Sequence, residues 1–496
     1  MPGFLLLSVF VVATCGLVYE LVAGTLASYL LGDSVLQFST VIGTYLFAMG
    51  VGSYASRFLE RGLVARFIQL QLLVGLIGGC SAAVLYLSFS YATGFRLILY
   101  GLVFAIGVLV GMEIPLLLRI LKDQLSFREL VSQVLALDYV GALAASLLFP
   151  LLLVPFLGLI RTAFLFGILN VGVAIAFLRV FRQQRSAPLL AQGWLIMGLM
   201  IAGMIGADRL TALAEANLFS DEVVIARSTP YQRIVITRAR NDVSLFLNGN
   251  LQFASQDEYR YHEALVHPAL SFCEAPRRVL ILGGGDGLAA REVLRDPRVE
   301  QVTLVDLDPE ITRLFSSHPM LRELNRNSLN DPRLEVINAD AFVWLEQNRL
   351  LCDVVVVDFP DPTNYSVGKL YTNVFYSLLE RRLAPGGVAA VQCSSPLFAR
   401  RSYWCIVATM RSVGLEVTPY HTFVPSFGEW GFALASRERL GEPRPLPADL
   451  RFLDRDTFRG MFEFPRDMQP VSAEVNRLFN QVLVHYYQED WETLSR

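Results

Sequence analysis

The stretch VLILGGGDGLAAREVL, residues 279–294, joins a predicted buried strand to a predicted helix through a glycine-rich turn. The strand covers Val279–Leu282, and Gly283 and Gly285 are among the glycines that follow it. Glycine lets a ligand approach the backbone closely, and the start of a helix offers free N–H groups. Asp286 lies inside the turn, where its carboxylate would repel the phosphates that such turns often bind. The turn therefore predicts a cationic or hydroxyl-rich ligand.

Strands and helices alternate downstream of this turn. Helical patterns separate further apolar strand segments, which are Gln301–Asp306, Leu334–Asn338, Asp353–Asp358 and Gly387–Gln392. This alternation predicts a Rossmann-like α/β domain of the class I methyltransferase type, with a parallel, doubly wound sheet and ligands at the C-terminal strand ends. Upstream, Asn248-Gly249 between two strand-like segments predicts a β-hairpin in a small N-terminal subdomain.

Aspartates follow or end successive predicted strands, and these are Asp286, Asp306, Asp340 and Asp358. The C-terminal ends of parallel strands meet at one edge of a sheet, so the four carboxyl groups should face one crevice. Asp306, about 20 residues beyond the glycine turn, is where an acid commonly bonds ribose hydroxyls. Asp340 could accept from an adenine amino group, while Ala341 leaves room for the ring. Any one of these acids could instead be a turn residue or a helix cap; together they predict an adenosyl site without a phosphate.

The N-terminal part of the chain has a different composition. Of the 496 residues, 53% are hydrophobic, and apolar runs occupy Phe4–Leu31, Val35–Ser56, Ile68–Tyr91, Phe95–Ile120, Val134–Leu157, Leu159–Val180 and Leu189–Ala207. Each run approaches or exceeds the roughly 20 residues that span a bilayer. We therefore predict a multi-pass α-helical membrane domain of about seven helices. The predicted domains are residues 1–215 (membrane), 221–275 (small β subdomain and first helix), 276–440 (Rossmann-like) and 441–496 (helical tail).

The sequence also argues against a metal ion and against a nucleic acid as partners. The six cysteines are scattered without a C-x-x-C pair, and His262 and His267 lack a metal-ligand pattern, so no metal site is predicted. A formal net charge of -3 and the lack of a basic run argue against nucleic-acid binding.

These motifs resemble those of the spermidine synthases, which are polyamine aminopropyltransferases. The resemblance lies in the glycine turn, Asp306, Asp340 and the DFPDP run at residues 358–362. It extends to further segments, which are PYQRIVI (230–236), LNGNLQF (247–253), DEYRYHEALVHPAL (257–270) and VPSFGEWGF (424–432). It covers roughly residues 221–436, about the size of one domain. With its apolar N-terminal half, the chain is similar to the bacterial membrane-anchored branch of that family.

The resemblance implies decarboxylated S-adenosylmethionine as donor and a diamine, usually putrescine, as acceptor, with no metal or other cofactor and a homodimeric or homotetrameric assembly. Carried over by motif, the donor site would contain Gln232, Asp306, Asp340, Ala341, Gly283 and Gly285. The polyamine site would contain His262, Asp286 and Asp361. Asp358 would be the catalytic proton acceptor.

The reaction needs these residue types. The donor's sulfonium is already a good leaving group, so no acid has to protonate it. The acceptor amine is almost wholly protonated at neutral pH, and a carboxylate must take its proton before the nitrogen can attack. Other carboxylates can hold the distal ammonium, so that one nitrogen is bound while the other reacts. Phe427 stands where the family usually has a tyrosine, which leaves the identity of the acceptor open.

Two alternatives belong to other functional classes. A methyltransferase would use the same adenosyl crevice, but it would need neither the DEYRYHEALVHP segment nor the second aspartate of DFPDP. A polyamine carrier or sensor would use acids inside apolar runs, which are Glu20, Glu113 and Asp138. Intramembrane acids are costly and usually functional or paired. Here they could instead pair structurally with one another or with Arg96, Arg119 and Arg161.

The distribution of basic residues bears on the side of the membrane. Lys and Arg collect in the second, fourth and sixth loops, as Arg57, Arg61, Arg66, Lys122, Arg128, Arg179, Arg182 and Arg185. The positive-inside rule places these loops in the cytoplasm, and seven crossings would then leave the catalytic domain outside. If Leu189–Ala207 is re-entrant or interfacial, only six crossings remain. Because the donor is made inside the cell, we predict a bacterial inner-membrane protein with a cytoplasmic catalytic domain.

Overall fold

Each apolar run of the N-terminal half is helical in the computed structural model, which describes residues 2–31, 34–91, 94–122, 127–181, 186–219 and 221–494. The helices are α1 (Pro2–Leu31), α2 (Ser34–Ala55), α3 (Leu63–Tyr91), α4 (Phe95–Leu121), α5 (Phe127–Leu148), α6 (Val154–Val180) and α7 (Ala187–Ile205). A π-helical segment, Phe149–Leu153, joins α5 to α6. Gly158, with φ 73° and ψ 173°, interrupts the helix where the sequence separates the fifth run from the sixth.

The chain divides into two compact units, Met1–Pro230 and Tyr231–Arg496. The first unit ends with α8 (Ala207–Leu218) and strand β1 (Glu222–Ser228). Among the described residues, five of its segments are long and apolar enough to cross a membrane, namely Gly3–Leu31, Leu63–Phe89, Phe95–Leu121, Arg128–Val180 and Ala187–Ile205. The fold class predicted for the N-terminal half is confirmed.

Glycines bring helices α2 and α4 close together. A Cβ atom on Gly52 would lie 2.0 Å from the carbonyl oxygen of Val108, and one on Gly111 would lie 2.2 Å from that of Met49. Small residues let helix backbones approach in an apolar environment where hydrophobic burial gives little driving force. Any side chain at either glycine would therefore push the two helices apart.

The second unit begins with antiparallel strands β2 (Arg233–Ala239), β3 (Asp242–Leu247) and β4 (Asn250–Ala254). Asn248 and Gly249 connect β3 to β4 with φ angles of 51° and 82°. Two positive φ angles are the requirement of a type I′ turn, so the predicted hairpin is confirmed. Helix α9 (Glu258–Phe272) follows and is buried along most of its length.

A seven-stranded sheet forms the centre of this unit. Its strands are β5 (Arg278–Gly283), β6 (Gln301–Asp306), β7 (Leu334–Asn338), β8 (Cys352–Asp358), β9 (Leu383–Gln392), β10 (Glu416–Val424) and β11 (Gly428–Ser436). The order is β10-β11-β9-β8-β5-β6-β7, and the five strands from β9 to β7 are parallel. The Rossmann-like prediction is confirmed.

One edge of the sheet differs from the parallel sheet that the sequence predicts. Strand β11 runs antiparallel to both β9 and β10. Only residues 425–427 connect β10 to β11, and so short a connection can join antiparallel strands but not parallel ones. The five strands that the sequence predicts are all parallel, as expected, and the two strands that it did not predict make this edge antiparallel.

Helices alternate with the strands of the sheet and continue after its last strand. They are α10 (Leu288–Val293), α11 (Pro309–Ser317), α12 (Pro319–Leu324), α13 (Ala341–Gln347), α14 (Tyr365–Gly368), α15 (Asn373–Glu380), α16 (Arg400–Arg411), α17 (Arg455–Gly460) and α18 (Val482–Leu494). Short 3₁₀ helices lie at Ser56–Phe58, Ser328–Asn330 and Lys369–Tyr371. The chain moves from β5 towards β7 in one direction and from β8 towards β9 in the other. The crevice between the ends of β5 and β8 is therefore the switch point at which such sheets bind ligands.

Candidate active site

The glycine turn after β5 lies against the acids that end two neighbouring strands. A Cβ atom on Gly284 would lie 3.2 Å from Oδ2 of Asp358, and one on Gly285 would lie 2.7 Å from Oδ2 of Asp306. Gly283 has a φ angle of 83°, and a Cβ atom there would come within 2.1 Å of the Asp358 carbonyl oxygen. The turn therefore needs glycine because two carboxylates close in on it.

Asp306 is fixed by the backbone around it. Its carboxylate accepts the N–H of Gly285 at 3.0 Å and that of Asp308 at 2.9 Å. Burial raises the pKa of Asp306 to about 6, although these two hydrogen bonds favour the charged form. Each carboxylate oxygen keeps a free lone pair, so the group can still accept a hydroxyl such as that of a ribose.

Gln232 is linked to the same strand end through Asp308. The Gln232 amide donates to Oδ2 of Asp308 at 2.9 Å, and Asp308 caps α11 by accepting the N–H of Glu310 at 3.0 Å. The structure thus brings Gln232 and Asp306 together, although 74 positions separate them in sequence. Asp308 is the connecting residue, and the sequence analysis did not single it out.

Asp340 and Ala341 begin α13. Oδ1 of Asp340 accepts the N–H of Phe342 at 2.9 Å, which is a helix cap. Oδ2 accepts a hydrogen bond from Lys369 Nζ at 2.5 Å, an ion pair that the sequence did not predict. The cap that was considered as an alternative is present, and an adenine amino group would share the carboxylate with Lys369.

Asp358 ends β8 and is partly exposed. The hydroxyl of Tyr261, on α9, donates to its Oδ1 at 2.7 Å. Burial raises the pKa of Asp358, while the charge of His262 and the Tyr261 hydrogen bond oppose that rise. A carboxylate with a raised pKa is a stronger base, which suits proton abstraction from an ammonium group.

Asp286 lies in the glycine turn. Its Oδ1 accepts the N–H of Leu288 at 2.8 Å, so one oxygen supports the start of α10. Burial raises the pKa of Asp286 to about 6; the positive charge of His262 lowers it and the negative charge of Asp358 raises it. The remaining oxygen leaves a carboxylate that can bind a cationic group.

His262 belongs to a buried ionic network. Burial lowers the pKa of this imidazole, but the hydrogen bond with Glu258 outweighs that effect and raises it to about 9. Nδ1 lies 2.8 Å from the Glu258 carboxylate, and Arg291 on α10 donates twice to the same carboxylate at 2.9 Å. The ring is therefore positively charged at neutral pH. Its predicted role in polyamine binding remains a prediction, and its charge opposes direct contact with an ammonium group.

Asp361 receives three side-chain donors. The Tyr487 hydroxyl donates to Oδ2 at 2.8 Å and that of Ser394 at 3.2 Å, while the Gln392 amide donates to Oδ1 at 3.4 Å. Burial raises the pKa of Asp361 to about 6, and the three hydrogen bonds oppose that rise. Sequence reasoning identified the acid but none of its partners.

Aromatic side chains line the same region. The ring of Tyr261 lies 6.1 Å from that of Phe427 and 6.5 Å from that of Trp430, and Phe427 and Trp430 are 4.9 Å apart. Aromatic faces attract alkylammonium cations. Tyr261 lies within the DEYRYHEALVHPAL segment that carried the resemblance, whereas nothing in the sequence connected Tyr487 with the site.

The acids of the first unit are placed differently. Glu113 is 2% exposed and Glu20 is 8% exposed. The amide of Gln71 donates to Glu113 at 2.7 Å. Arg161 pairs with Asp208 at 2.7 Å rather than with either acid. Arg119 donates to the carbonyl oxygen of Ser56 at 3.1 Å. Neither of these two arginines therefore pairs with Glu20 or Glu113 among the described residues, whereas the other pairings that we considered stay a prediction.

Among the residues that the structure describes, no group of three or more His, Cys, Asp or Glu side chains is placed to hold a metal ion.

Comparisons with known proteins identify related chains. A family model described as the spermine/spermidine synthase domain matches residues 258–442. A polyamine aminopropyltransferase of Leptospira interrogans is 53% identical over 496 residues, which is 100% of both chains. Polyamine aminopropyltransferase 2 of Ralstonia nicotianae is 54% identical over 505 residues, covering 100% of this chain and 99% of that one.

Two further proteins are less similar to this chain. Polyamine aminopropyltransferase 1 of Streptomyces coelicolor is 43% identical and covers 98% of this chain and 94% of its own. Among solved structures, spermidine synthase in complex with the transition-state analogue AdoDATO is 25% identical, with a TM-score of 0.47 over 49% of this chain and 86% of that chain.

Proposed function

Because this chain belongs to the polyamine aminopropyltransferase family, we propose that it transfers the aminopropyl group of decarboxylated S-adenosylmethionine to putrescine. The products are spermidine and methylthioadenosine. The observation that carries the proposal is the pair of acids Asp358 and Asp361 at the switch point, each bonded by a tyrosine hydroxyl, beside a glycine turn that carries Asp286.

The reaction is a displacement at carbon. Asp358 removes a proton from one ammonium group of the diamine, and the freed lone pair attacks the aminopropyl methylene next to sulfur. The new C–N bond forms as the C–S bond breaks, and the bonding electrons remain on sulfur in neutral methylthioadenosine. The attacking nitrogen, neutral after losing its proton, gains the positive charge that the sulfonium loses. Asp361 holds the distal ammonium group and orients the chain for attack.

The donor is bound from the opposite side of the crevice. Asp306 accepts the ribose hydroxyls, with Gln232 placed beside it through Asp308. Gly283 and Gly285 let the backbone approach the donor, and Asp340 and Ala341 lie around the adenine. Asp286 holds the amine of the group being transferred. These residue roles follow from strand-end position and from the family resemblance together.

The identity of the donor distinguishes this activity from methyl transfer. Purified chain is incubated with putrescine and either decarboxylated S-adenosylmethionine or S-adenosylmethionine, and both nucleoside products are quantified. We expect methylthioadenosine from the decarboxylated donor and no S-adenosylhomocysteine from the other. Release of S-adenosylhomocysteine with a methylated amine would replace this proposal by the methyltransferase alternative.

The first unit is the membrane anchor in this proposal, and the catalytic unit is cytoplasmic because its donor is made in the cell. Helix α7 is unbroken over 19 residues, about 28 Å at 1.5 Å per residue. Its length favours a full crossing over a re-entrant path and so opposes the cytoplasmic assignment. A phosphatase-type reporter fused after Arg496 tests the assignment, which fails if the reporter is active only after export.

The proposed homodimer or homotetramer is tested by mass measurement of the full chain in nanodiscs.

A second function, polyamine transport or sensing by the first unit, is favoured by the surroundings of Glu113. Among the described residues no basic side chain pairs with Glu113 or Glu20, and Oε1 of Gln71 lacks a hydrogen-bond partner. Unpaired buried oxygens favour a cation. Uptake of labelled spermidine into vesicles tests this role, with Glu113→Gln as the variant and Glu60→Gln, at an exposed site, as the control. Equal uptake by both variants and by vesicles lacking the protein would exclude it.

A further inference from the structure

The C-terminal helix α18 brings a tyrosine hydroxyl to the second acid of the active site. Tyr487 donates to Oδ2 of Asp361 at 2.8 Å, across 126 residues of sequence. It is the shortest of the three side-chain contacts described for Asp361, since Ser394 lies at 3.2 Å and Gln392 at 3.4 Å. A segment outside the sheet therefore takes part in fixing this carboxylate.

Contacts with two neighbouring elements hold α18 in place. A Cβ atom on Gly368, at the end of α14, would lie 2.6 Å from a methyl group of Val484. Asp490 accepts both the N–H and the hydroxyl of Ser402, at 3.1 and 2.8 Å, in the first turn of α16. Helix α14 begins three residues after the DFPDP run. The helix is thus docked on the segment that carries Asp361.

The environment of Tyr487 keeps its hydroxyl protonated. Its ring lies 5.9 Å from that of Trp491. Burial, and then the negative charge of Asp361, raise the pKa of Tyr487 far above its usual value. The hydroxyl donates a hydrogen bond to Asp361, and its oxygen lone pairs can accept a hydrogen bond from an ammonium group.

We propose that Tyr487 is a specificity-determining residue of the acceptor site, where its hydroxyl fixes Asp361 and binds the distal ammonium group of the diamine. This inference rests on the proposed function. Phe427 stands where the family usually has a tyrosine, and it has no hydroxyl to offer a substrate. The hydroxyl of Tyr487 contacts Asp361 directly. The distance from this hydroxyl to Asp358 then sets which diamine length places its other nitrogen at the catalytic base. Helix α18 is part of the enzyme's acceptor selection.

The test is Tyr487→Phe, which keeps the ring and removes one hydroxyl. We expect the putrescine KM to rise roughly tenfold, the size of one hydrogen bond to a charged group. We expect the donor KM and kcat to stay within about threefold, because the reacting end is untouched. Preference for putrescine over 1,3-diaminopropane and cadaverine should weaken in the same variant.

Tyr486→Phe is the matched control, because the Tyr486 hydroxyl bonds Glu474 at 3.3 Å and no described contact joins it to Asp361. An unchanged putrescine KM in Tyr487→Phe, or equal changes in both variants, would overturn the inference. In the Asp361→Asn background, Tyr487→Phe should raise the putrescine KM by a smaller factor than in the wild type, since the two groups act as a pair. Failure of the proposed function itself would be recognised separately, by a wild-type protein that forms no methylthioadenosine.

Discussion

Both units of the chain contain buried carboxyl groups, but the surroundings of these groups differ. In the helical unit, Glu113 is almost completely enclosed and is bonded by the neutral amide of Gln71. In the catalytic unit, Asp358 and Asp361 are partly exposed and are held by tyrosine hydroxyls. The carboxylate of Glu113 is closed off from solvent and has one neutral donor, whereas the partly exposed carboxylates of Asp358 and Asp361 remain available to a ligand. From this difference we predict that the reaction uses Asp358 and Asp361 and does not use Glu113.

The largest expected effect is on catalysis. Asp358→Asn should lower turnover by about two orders of magnitude or more, as for loss of a general base, while donor binding stays nearly intact. Glu113→Gln makes the same chemical change in the helical unit and should leave turnover unchanged. Steady-state kinetics of both variants in detergent provide the comparison. Near-normal turnover of Asp358→Asn would remove its assignment as the proton acceptor.

Donor binding should show the next largest effect. Asp306→Ala removes the acceptor that we assign to the ribose hydroxyls, and the donor affinity should fall roughly tenfold or more. Calorimetric titration with decarboxylated S-adenosylmethionine measures this without turnover. Asp353→Ala changes an acid at the opposite end of β8 and is the control. Equal donor affinity in Asp306→Ala and the wild type would reject the ribose role.

The pH profile should show the raised pKa values of the crevice. Asp306, Asp286 and Asp361 each have a pKa of about 6 in the free protein. Below that pH, neutral Asp286 and Asp361 hold their ammonium groups weakly and neutral Asp306 is a weaker acceptor for the ribose hydroxyls, so kcat/KM should fall steeply as the pH decreases through 6. Ordinary carboxylates would place the fall near pH 4. A profile that is flat down to pH 5 would contradict the buried environment of these acids.

The thermal stability of the fold should show the smallest effect. It should decrease as the pH rises, whereas kcat/KM should increase. A carboxyl group whose folded pKa is raised stabilises the fold below its unfolded pKa of about 4, and this contribution is lost as pH rises through 6. Asp361→Asn should therefore raise the melting temperature at pH 7.5 by a few degrees and by clearly less at pH 4.5. Thermal unfolding at the two pH values measures this. A lower melting temperature at pH 7.5 would mean that the Tyr487 and Ser394 hydrogen bonds outweigh the cost of burying the charge.

The two units also differ in how much their sequences predict. In the helical unit, the period and length of the apolar runs predicted helices, and even the break at Gly158 followed from the pattern. In the catalytic unit, alternation and strand-end position predicted the sheet and the acids Asp306 and Asp358. These features are local, because a short window of sequence contains their physical cause.

Other parts of the site depend on contacts between distant segments, and the sequence did not predict them. Tyr487 contacts Asp361 across 126 residues, and Lys369 contacts Asp340 across 29. Such partners are chosen by tertiary packing, which a single sequence does not encode as a local pattern. The antiparallel edge of the sheet was not predicted, because β10 and β11 lie beyond the last strand of the α/β alternation that the sequence showed.

The most direct test of the account is a single-turnover experiment with the donor already bound. Wild-type protein and excess decarboxylated S-adenosylmethionine are mixed rapidly with putrescine, and methylthioadenosine and spermidine are quantified at each time. The account predicts no methylthioadenosine before the amine is added, then equal amounts of both products, and a rate at least about a hundredfold lower in Asp358→Asn. Methylthioadenosine released without putrescine, or an unchanged rate in Asp358→Asn, would contradict it.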